Sequence, residues 1–352
     1  MKALVLSGGL GTRLRPFTHS MAKQLVPVAN KPVLQHCLEN IRQIGVEEVG
    51  VVVGDRAADI RAAIGDGSDL GLRVTYIHQE QPLGLAHCVQ VAQDFLGDDD
   101  FVMYLGDNVL ADGITAAAAA FEQRRPDAQL LVVKVPDPRQ YGVAVIDRDH
   151  VVRALAEKPA VPRSDLAIVG VYFFTAAIHD AVRDLSPSGR GELEITDALQ
   201  VMVDNGKLVT AEEYTGYWKD TGSVDELLEC NRALLERITP AVHGDVDAES
   251  TTFGTVVVEA GAVVTRSRLV GPLVVGAGSV ITGSYLGPST SVGNGCVVTD
   301  SHVEDSILLE GSDVNGVREL RGSIIGRWAR VSATGEQHSL VIGDHASAEV
   351  AA

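Results

Sequence analysis

A glycine-rich segment with basic residues behind it follows the first apolar run of the chain. Residues 7–11 read Ser-Gly-Gly-Leu-Gly, and Arg13, Arg15 and Lys23 follow them. Glycines can turn backbone amides toward an anion without placing a side chain in its way, and the basic side chains add positive charge. The segment lacks the Gly-Lys-Ser/Thr ending of a Walker A loop and the third glycine of a dinucleotide fingerprint, and no helix is expected to begin at Thr12. The sequence therefore predicts a phosphate-binding turn of another type.

The first 240 residues predict the elements that would position this turn. Short apolar, β-branched runs alternate with segments of helical period, which is typical of a sheet covered by helices on both faces. We expect an α/β fold with a Rossmann-like mixed, mostly parallel sheet. Ligands of such sheets bind beyond the carboxyl ends of the strands. Three loops follow such ends and are the candidate site: residues 8–20, 79–84 and 106–108.

The expected elements of this part can be given as ranges. Strands are predicted at residues 3–7, 49–53, 74–79, 101–105, 130–135, 143–146, 151–157 and 168–174. Helices are predicted from about residue 32 and at residues 57–64, 85–94, 114–124, 176–185, 195–205 and 224–236.

Beyond Pro240 the helical period disappears and aliphatic residues recur at about every sixth position, with small polar residues between them. The inward-facing positions are predicted to be Val257, Val263, Leu269, Val275, Ile281, Leu286, Val292 and Val298. This spacing indicates a hexapeptide parallel β-helix of about five coils, each of roughly 18 residues. An irregular β-sandwich is the alternative. We therefore expect two domains, an α/β domain at residues 1–238 and a β-helix at residues 239–352.

Composition excludes several classes of partner. The chain has 352 residues, and its 29 Lys and Arg against 47 Asp and Glu give a formal net charge of −18. This charge argues against nucleic-acid and anionic-membrane partners, and no apolar run reaches the roughly 18 residues that span a bilayer. Cys37, Cys88, Cys230 and Cys296 lack metal-site spacing, so we expect free, buried thiols in a reducing cytoplasm.

Several motifs, taken in chain order, resemble those of the sugar-1-phosphate nucleotidylyltransferases. They are Gly8-Gly9-Leu10-Gly11-Thr12-Arg13-Leu14-Arg15-Pro16 and residues 23–28, 79–86, 105–108, 141–143, 157–159, 170–172, 190–197 and 218–222. Within this family the chain resembles the long-form glucose-1-phosphate thymidylyltransferases, which carry a C-terminal left-handed β-helix. The resemblance implies nucleotidyl transfer from dTTP to glucose-1-phosphate, with dTDP-glucose and pyrophosphate as products and Mg²⁺ as cofactor. It also implies a role in deoxysugar or antibiotic biosynthesis, and we expect a homo-oligomer.

The resemblance assigns roles to individual residues. The implied nucleotide-binding residues are Leu6, Gly8, Gly9, Gly11, Thr12, Arg13, Arg15, Lys23, Gln79 and Gly84. The implied sugar-phosphate-binding residues are Tyr141, Gly142, Glu157, Lys158, Gly170 and Arg190. Asp107 and Asp220 are the implied metal ligands, and both are implied to act in catalysis together with Arg13 and Lys23. The amide of Gln79 offers a donor and an acceptor, which suits the O4 and N3–H edge of thymine or uracil.

Without the resemblance, each of these residues also has a local interpretation. Asp107 suits a turn or helix cap, Glu157 and Lys158 a solvated strand end, and residues 190–197 the start of a helix. The alternative functions are use of UTP or another nucleotide, and an acyltransferase in the β-helix with His302, His338 or His345 as base. A module that binds sugar nucleotides without turnover is a further alternative.

Overall fold

The computed structural model describes residues 1–9, 11–333 and 341–350. The chain forms two compact units. The first consists of Met1–Gly9 and Leu34–Asp220, and the second of Leu10–Val33 and Thr221–Ala352. Within the described residues, no helix has both the length and the apolar character needed to cross a membrane.

Strands and helices alternate through the first 235 residues, as the apolar runs predict. The strands are β1 (Lys2–Leu6), β2 (Pro27–Val28), β3 (Lys31–Pro32), β4 (Glu48–Val53), β5 (Arg73–His78), β6 (Phe101–Leu105), β7 (Asn108–Leu110), β8 (Ala128–Lys134), β9 (Gly142–Ile146), β10 (Val152–Glu157), β11 (Leu166–Phe174), β12 (Val209–Glu213) and β13 (Trp218–Asp220). The helices are α1 (Val33–Gln43), α2 (Ala57–Ile64), α3 (Leu85–Val91), α4 (Gln93–Leu96), α5 (Thr115–Arg124), α6 (Ile178–Arg183), α7 (Ile195–Asp204) and α8 (Val224–Leu235).

The first unit is built on a mixed sheet. Its strand order is β10-β9-β11-β6-β1-β4-β5, and β8 pairs with both β11 and β12. Strands β6, β1, β4 and β5 are parallel, whereas β11 is antiparallel to β6 and β8. All nine residues of β11 are buried, which explains its unbroken apolar sequence. These findings confirm the expected mixed α/β fold.

The carboxyl ends of the central strands lie side by side. Leu6, the last residue of β1, pairs with Val52 in β4 and with Leu105, the last residue of β6. The backbone N–H of Gly106 donates to the carbonyl of Leu6 at 3.0 Å, and that of Gln79 donates to Val53 at 2.9 Å. The loops after β1, β5 and β6 therefore begin at one edge of the sheet, as predicted.

The second unit contains a β-helix with three parallel sheets. Its strands are β14 (Ala241–Val242), β15 (Asp245–Val246), β16 (Thr251–Phe253), β17 (Val256–Val258), β18 (Val263–Thr265), β19 (Arg268–Val270), β20 (Leu273–Val275), β21 (Val280–Thr282), β22 (Tyr285–Leu286), β23 (Thr290–Val292), β24 (Val297–Thr299), β25 (His302–Glu304), β26 (Ile307–Leu308), β27 (Asp313–Asn315), β28 (Leu320–Arg321), β29 (Ile324–Ile325), β30 (Arg330–Ala333), β31 (Val341–Ile342) and β32 (Ser347–Val350). Within the described residues, the sheets begun by β14 and β15 each have seven strands, and the sheet begun by β16 has five. The fold is the expected left-handed β-helix.

The coil length differs from the prediction. Val258 pairs with Val275, and Val275 pairs with Val292, so one coil takes 17 residues and not 18. Ser284 and Ser301 show the same 17-residue spacing, with the N–H of Ser301 donating to the Ser284 hydroxyl. Each sheet therefore receives an inward side chain after five or six residues, and seven-stranded sheets replace the expected five coils.

This shorter coil corrects the first two inward positions. Val258 and Val264 are fully buried in the β-helix core, whereas the predicted Val257 and Val263 are only partly buried. The sixfold pattern fails because the step from Val264 to Leu269 has five residues. Since side chains alternate between the faces of a strand, a shift of one residue turns a side chain outward. The other six predicted positions are buried in the core.

Residues 11–33 of the second unit form short turns and a hairpin. Three-residue 3₁₀ helices lie at Thr12–Leu14, Phe17–His19 and Lys23–Leu25, and β2 pairs with β3 across the turn at Ala29 and Asn30. A single 3₁₀ turn therefore begins at Thr12, where no helix was expected.

Helix α8 begins with a capping box. The hydroxyl of Ser223 accepts a hydrogen bond from the N–H of Glu226 and donates one to its side chain. All four cysteines are free and buried, as predicted.

Candidate functional site

A polar cluster in the first unit centres on the carboxylate of Glu157. This residue ends β10 and pairs with Gly142 in β9. Arg190 Nη1 donates to its Oε1 at 3.1 Å, and Thr196 Oγ1 donates to its Oε2 at 3.2 Å. Lys158 Nζ lies 3.6 Å from Oε1. The structure thus brings four of the six predicted sugar-phosphate residues together, namely Gly142, Glu157, Lys158 and Arg190.

Close backbone packing explains the glycine beside this carboxylate. A Cβ at Gly142 would lie 2.8 Å from Thr196 Cγ2 and 3.2 Å from Glu157 Oε2. A larger residue would therefore separate β9 from the polar cluster. Tyr141, one position earlier, accepts a hydrogen bond at its carbonyl from the N–H of Lys158 and packs edge-on against Trp218 at 5.5 Å between ring centroids. The sixth predicted residue, Gly170, has a positive φ and lies against the side chain of Leu105.

Arg190 is held by carboxylates on three sides. Besides Glu157, its guanidinium lies 3.4 Å from Glu194 and 3.6 Å from Glu192. The side chain of Glu194 is only 5% exposed and accepts a hydrogen bond from Ser188 Oγ at 3.0 Å. Burial raises the pKa of the Glu194 carboxyl, and the hydrogen bond from Ser188 opposes that rise. The loop before α7 therefore fixes the direction of the Arg190 side chain.

The loop after β5 forms a second polar group. Gln79 is buried, and its amide nitrogen lies 3.0 Å from His87 Nδ1 and donates to the carbonyl of Gly84 at 3.4 Å. A Cβ at Gly8 would lie 3.2 Å from Gln79 Oε1, so the glycine lets the first loop approach the amide. Burial lowers the pKa of His87, which favours a neutral ring beside the amide. The structure thus brings Gly8, Gln79 and Gly84 together, as predicted for base recognition.

These two loops are joined at Gly84. The N–H of Leu193 donates to the carbonyl of Leu83 at 2.7 Å, and the N–H of Ala86 donates to the carbonyl of Leu193 at 3.0 Å. Gly84 has φ 108° and ψ 174°, and a Cβ there would lie 2.5 Å from the Leu193 carbonyl oxygen. Only glycine adopts this conformation readily. The predicted base loop and the loop that carries Arg190 are therefore coupled through one stretch of backbone.

Asp107 and Asp220 lie at the ends of a two-stranded ribbon. Strand β7 begins one residue after Asp107, and its first residue, Asn108, pairs with Asp220 in β13. Asn108 Nδ2 donates to Asp107 Oδ1 at 3.0 Å, while Trp218 Nε1 donates to Asn108 Oδ1 at 2.7 Å. The antiparallel register thus brings the two aspartates to the same end of the ribbon.

The donor set of this ribbon fits a hard divalent cation. Within the described residues no group of three or more His, Cys, Asp and Glu side chains could enclose a metal ion. Mg²⁺ typically takes one or two protein carboxylates and completes its shell with water and substrate phosphates. Asp107 and Asp220 match that pattern better than they match a site formed by protein alone.

The remaining predicted nucleotide-binding residues are divided between the units. Leu6 is buried and Gly9 exposed in the first unit, whereas Gly11, Thr12, Arg13, Arg15 and Lys23 belong to the second. Gly11 has a left-handed conformation, and a Cβ there would lie 2.8 Å from Thr18 and 2.9 Å from Lys23. Thr12, Arg13 and Arg15 are exposed. This geometry leaves the glycine turn closely packed and its arginines accessible to solvent.

Sequence reasoning missed several residues that the structure adds to the site. Thr196, Glu194 and Ser188 support the Glu157 cluster, His87 contacts Gln79, and Asn108 links the ribbon that carries the aspartates. Thr196 and Glu194 lie within the recognised segment 190–197, whose polar residues next to Arg190 were the available signal. His87 carries no such signal, because it faces Gln79 only through the turn of α3.

The β-helix histidines have other contacts. The ring of His302 lies 4.3 Å from that of Tyr285, and His345 is exposed. His338 lies outside the described residues.

Comparison with known proteins identifies the family. A sequence model described as nucleotidyl transferase matches residues 2–237. The chain belongs to the nucleotidyl transferase family. This nucleotidyl transferase is 54% identical over 353 residues to a glucose-1-phosphate thymidylyltransferase of Streptomyces griseus, with 99% of each chain covered. It is 53% identical to a protein of the same name from Streptomyces antibioticus, again over 99% of each chain.

A solved structure supports the assignment of the first part of this nucleotidyl transferase. It is a Bacillus anthracis protein, provisionally named a glucose-1-phosphate thymidylyltransferase, in complex with sucrose. The match has a TM-score of 0.63 and 33% identity, and covers 68% of this chain and 97% of the other. The full-length matches to the two Streptomyces proteins confirm the resemblance to the long form. They do not favour the acyltransferase alternative.

Proposed function

We propose that this nucleotidyl transferase is a glucose-1-phosphate thymidylyltransferase that converts dTTP and glucose-1-phosphate into dTDP-glucose and pyrophosphate. The observation that carries the proposal is the 54% identity to the Streptomyces griseus enzyme over 99% of the chain. Glu157 and its partners, with the Gln79 loop, form a polar arrangement that suits a sugar phosphate and a pyrimidine base.

The proposed reaction needs no covalent bond to the protein. An oxygen of the sugar-1-phosphate attacks the α-phosphorus of dTTP in line, the bond from that phosphorus to the β-phosphate bridging oxygen breaks, and pyrophosphate leaves with the electron pair. The attacking oxygen is already anionic. Two unit like charges 4 Å apart repel by about 4 kcal/mol at an effective dielectric constant near 20. The protein must therefore supply fixed positive charge where the two substrates meet.

Five basic residues are proposed for this task. Arg13, Arg15 and Lys23 would bind the triphosphate, and Lys158 and Arg190 the sugar phosphate. The last two are paired with Glu157, so an incoming phosphate would share them with that carboxylate. Glu157 in turn is proposed to accept hydrogen bonds from sugar hydroxyls. Charge-assisted contacts of this kind are the strong ones in polar recognition.

A divalent metal is general in this family, and we propose Mg²⁺. Asp107 and Asp220 would hold it, because their carboxylate oxygens are the ligands that Mg²⁺ prefers. When bound, the ion would neutralise phosphate charge and orient the α-phosphate. For the base, Gln79 and Gly84 would meet the O4 and N3–H edge. Discrimination of thymine from uracil then depends on one methyl group, worth about 1–3 kcal/mol in an apolar pocket.

The other expectations from the sequence stand as proposals. A catalytic domain at residues 1–238 and a β-helix domain at 239–352 are supported by a family match that ends at residue 237. Four buried, free thiols support a reducing compartment. A homo-oligomer and a role in deoxysugar or antibiotic biosynthesis complete the proposal.

The direct test is a matrix of nucleoside triphosphates against sugar-1-phosphates, with pyrophosphate release as the readout. We expect the highest kcat/KM for dTTP with glucose-1-phosphate, and a preference for UTP would overturn the thymidylyl assignment. Asp107→Asn should abolish turnover without unfolding the protein, as judged by circular dichroism. Asp149→Asn, on an exposed turn, is the matched control and should turn over normally. Near-normal turnover of Asp107→Asn would contradict the metal assignment.

A further inference from the structure

One buried carboxylate of the β-helix contacts the phosphate-binding segment within the second unit. The side chain of Asp344 is 2% exposed and accepts a hydrogen bond from Ser20 Oγ at 2.7 Å. Arg327 donates to the same carboxylate from Nε at 2.8 Å and from Nη2 at 2.6 Å, and its backbone N–H donates to Oδ1 at 2.8 Å. Arg327 Nη2 also donates to the carbonyl of Ser20 at 3.2 Å. The three residues form a closed group, the Ser20–Arg327–Asp344 cluster.

The segment that this cluster contacts has little regular structure of its own. Residues 12–25 contain three 3₁₀ helices of three residues each, and strand pairing begins only at β2. Turns of this length have poor hydrogen-bond geometry and are weakly stable alone. The direction of the Arg13, Arg15 and Lys23 side chains therefore depends on contacts made by the rest of the segment.

A short chain of contacts leads from Ser20 to the glycine turn. Ser20 caps the Phe17–His19 helix, because its N–H and its hydroxyl both lie 3.1 Å from the carbonyl of Phe17. Within that helix, Thr18 Oγ1 donates to the carbonyl of Gly11 at 2.9 Å. Gly11 is the left-handed residue that packs against Lys23. A displacement of Ser20 is therefore passed to the backbone that would bind the phosphates.

The other end of the segment is also attached to the β-helix. Asn231 of α8 is fully buried and accepts hydrogen bonds from the N–H of Ala29 at 2.8 Å and from Ser291 Oγ at 2.6 Å. Asn30 Nδ2 donates to the carbonyl of Val292 at 2.6 Å. The hairpin after the segment is thus fixed, and Ser20 supplies the attachment nearest to Arg15 and Lys23.

We propose that the β-helix positions the triphosphate-binding segment, with Asp344 as a positioning residue that acts through Ser20. This inference rests on the proposed function and extends it, since it assigns a role in the reaction to the C-terminal coil at residues 341–350. The role is specific to the nucleotide because the segment carries the proposed triphosphate ligands and none of the proposed sugar-phosphate ligands. Asp344 touches neither substrate in this proposal.

The test compares Ser20→Ala, Asp344→Asn and Ser20→Thr in the full-length protein. Loss of one hydrogen bond to a charged group should raise the KM for dTTP about tenfold. The KM for glucose-1-phosphate should stay unchanged, and Ser20→Thr, which keeps the hydroxyl, should restore the dTTP value. Binding of dTTP without sugar phosphate, measured by calorimetry, should weaken by the same factor.

The matched control is Ser250→Ala. Ser250 Oγ also donates to an aspartate of the β-helix, Asp247, but in a coil that does not contact the Ser20 segment. A purely structural role of Ser20 would lower the melting temperature and leave the dTTP constants of the folded fraction unchanged, and that result would overturn the proposal. An equal rise of both KM values would overturn it as well. A wild-type protein that neither binds nor turns over dTTP would refute the proposed function and this inference together, whereas an active wild type with unaltered Ser20→Ala would refute this inference alone.

Discussion

Replacement of Gly84 by alanine tests the coupling between the base loop and the loop that carries Arg190. The added Cβ would lie 2.5 Å from the Leu193 carbonyl oxygen and 2.7 Å from its nitrogen, so the Leu193 backbone must move. Movement would break two backbone hydrogen bonds, each worth about 1 kcal/mol. Forcing a residue with a side chain into this glycine-only conformation costs about 1–3 kcal/mol more. We expect Gly84→Ala to lower the free energy of unfolding by about 3–5 kcal/mol.

Two glycines of the neighbouring loop separate strain from collision. Gly191 has φ 81° but a Cβ there meets nothing within 4 Å, so alanine should cost only the strain of about 1–2 kcal/mol. Gly189 has open space and no positive φ, so alanine should change stability by less than about 0.5 kcal/mol.

The assay is urea denaturation in a Trp328→Phe background. Trp218 is then the only tryptophan of the chain, and its fluorescence reports the first unit. Equal losses for Gly84→Ala and Gly191→Ala would refute the collision, because both would then reflect backbone strain alone. A stable Gly84→Ala variant with a raised KM for both substrates would show that the loops move without unfolding, at a cost below the one calculated.

Two further predictions concern the β-helix register and a buried carboxyl group. Val264→Ala should lower the free energy of unfolding by about 2 kcal/mol because Val264 is fully buried, whereas Val263→Ala should change it by less than about 0.5 kcal/mol; calorimetric melting of both variants would reveal a reversed order and hence the wrong register. The raised pKa of Glu194 means that the folded state binds more protons than the unfolded state above about pH 4.5, so this group makes stability fall as pH rises through that window. Glu194→Gln should remove that part of the pH slope in urea titrations, and an unchanged slope would contradict the assignment.

The α/β elements could be predicted because their burial repeats simply along the chain. Helix α2 has the predicted bounds, and strand β6 has them as well, since continuous apolar runs are typical of strands covered on both faces. The β-helix could be predicted as a class but not in register. A coil of 17 residues divides into faces of five and six, and a pattern based on six places Val257 where Val258 belongs.

The candidate site could be predicted only as far as chain order allows. Motif order placed Gln79, Asp107 and Glu157 at strand ends, where the structure has them. It gave no indication that Thr196 donates to Glu157 or that Leu193 pairs with Leu83, because such contacts join segments far apart in sequence. Nor did it show that residues 10–33 fold with the C-terminal part of the chain, since the turns there are ordered by distant partners such as Asp344 and Asn231.

The seventeen-residue coil limits how the gene for such a protein can change in length. An insertion of one residue inside a coil turns every following side chain of its strand to the opposite face, so valines would meet water and serines the core. Gain or loss of a whole coil, seventeen codons at once, leaves each ladder intact, as in the run Val258, Val275 and Val292. Duplication or deletion of complete coils is therefore the change in length that this part of the gene tolerates.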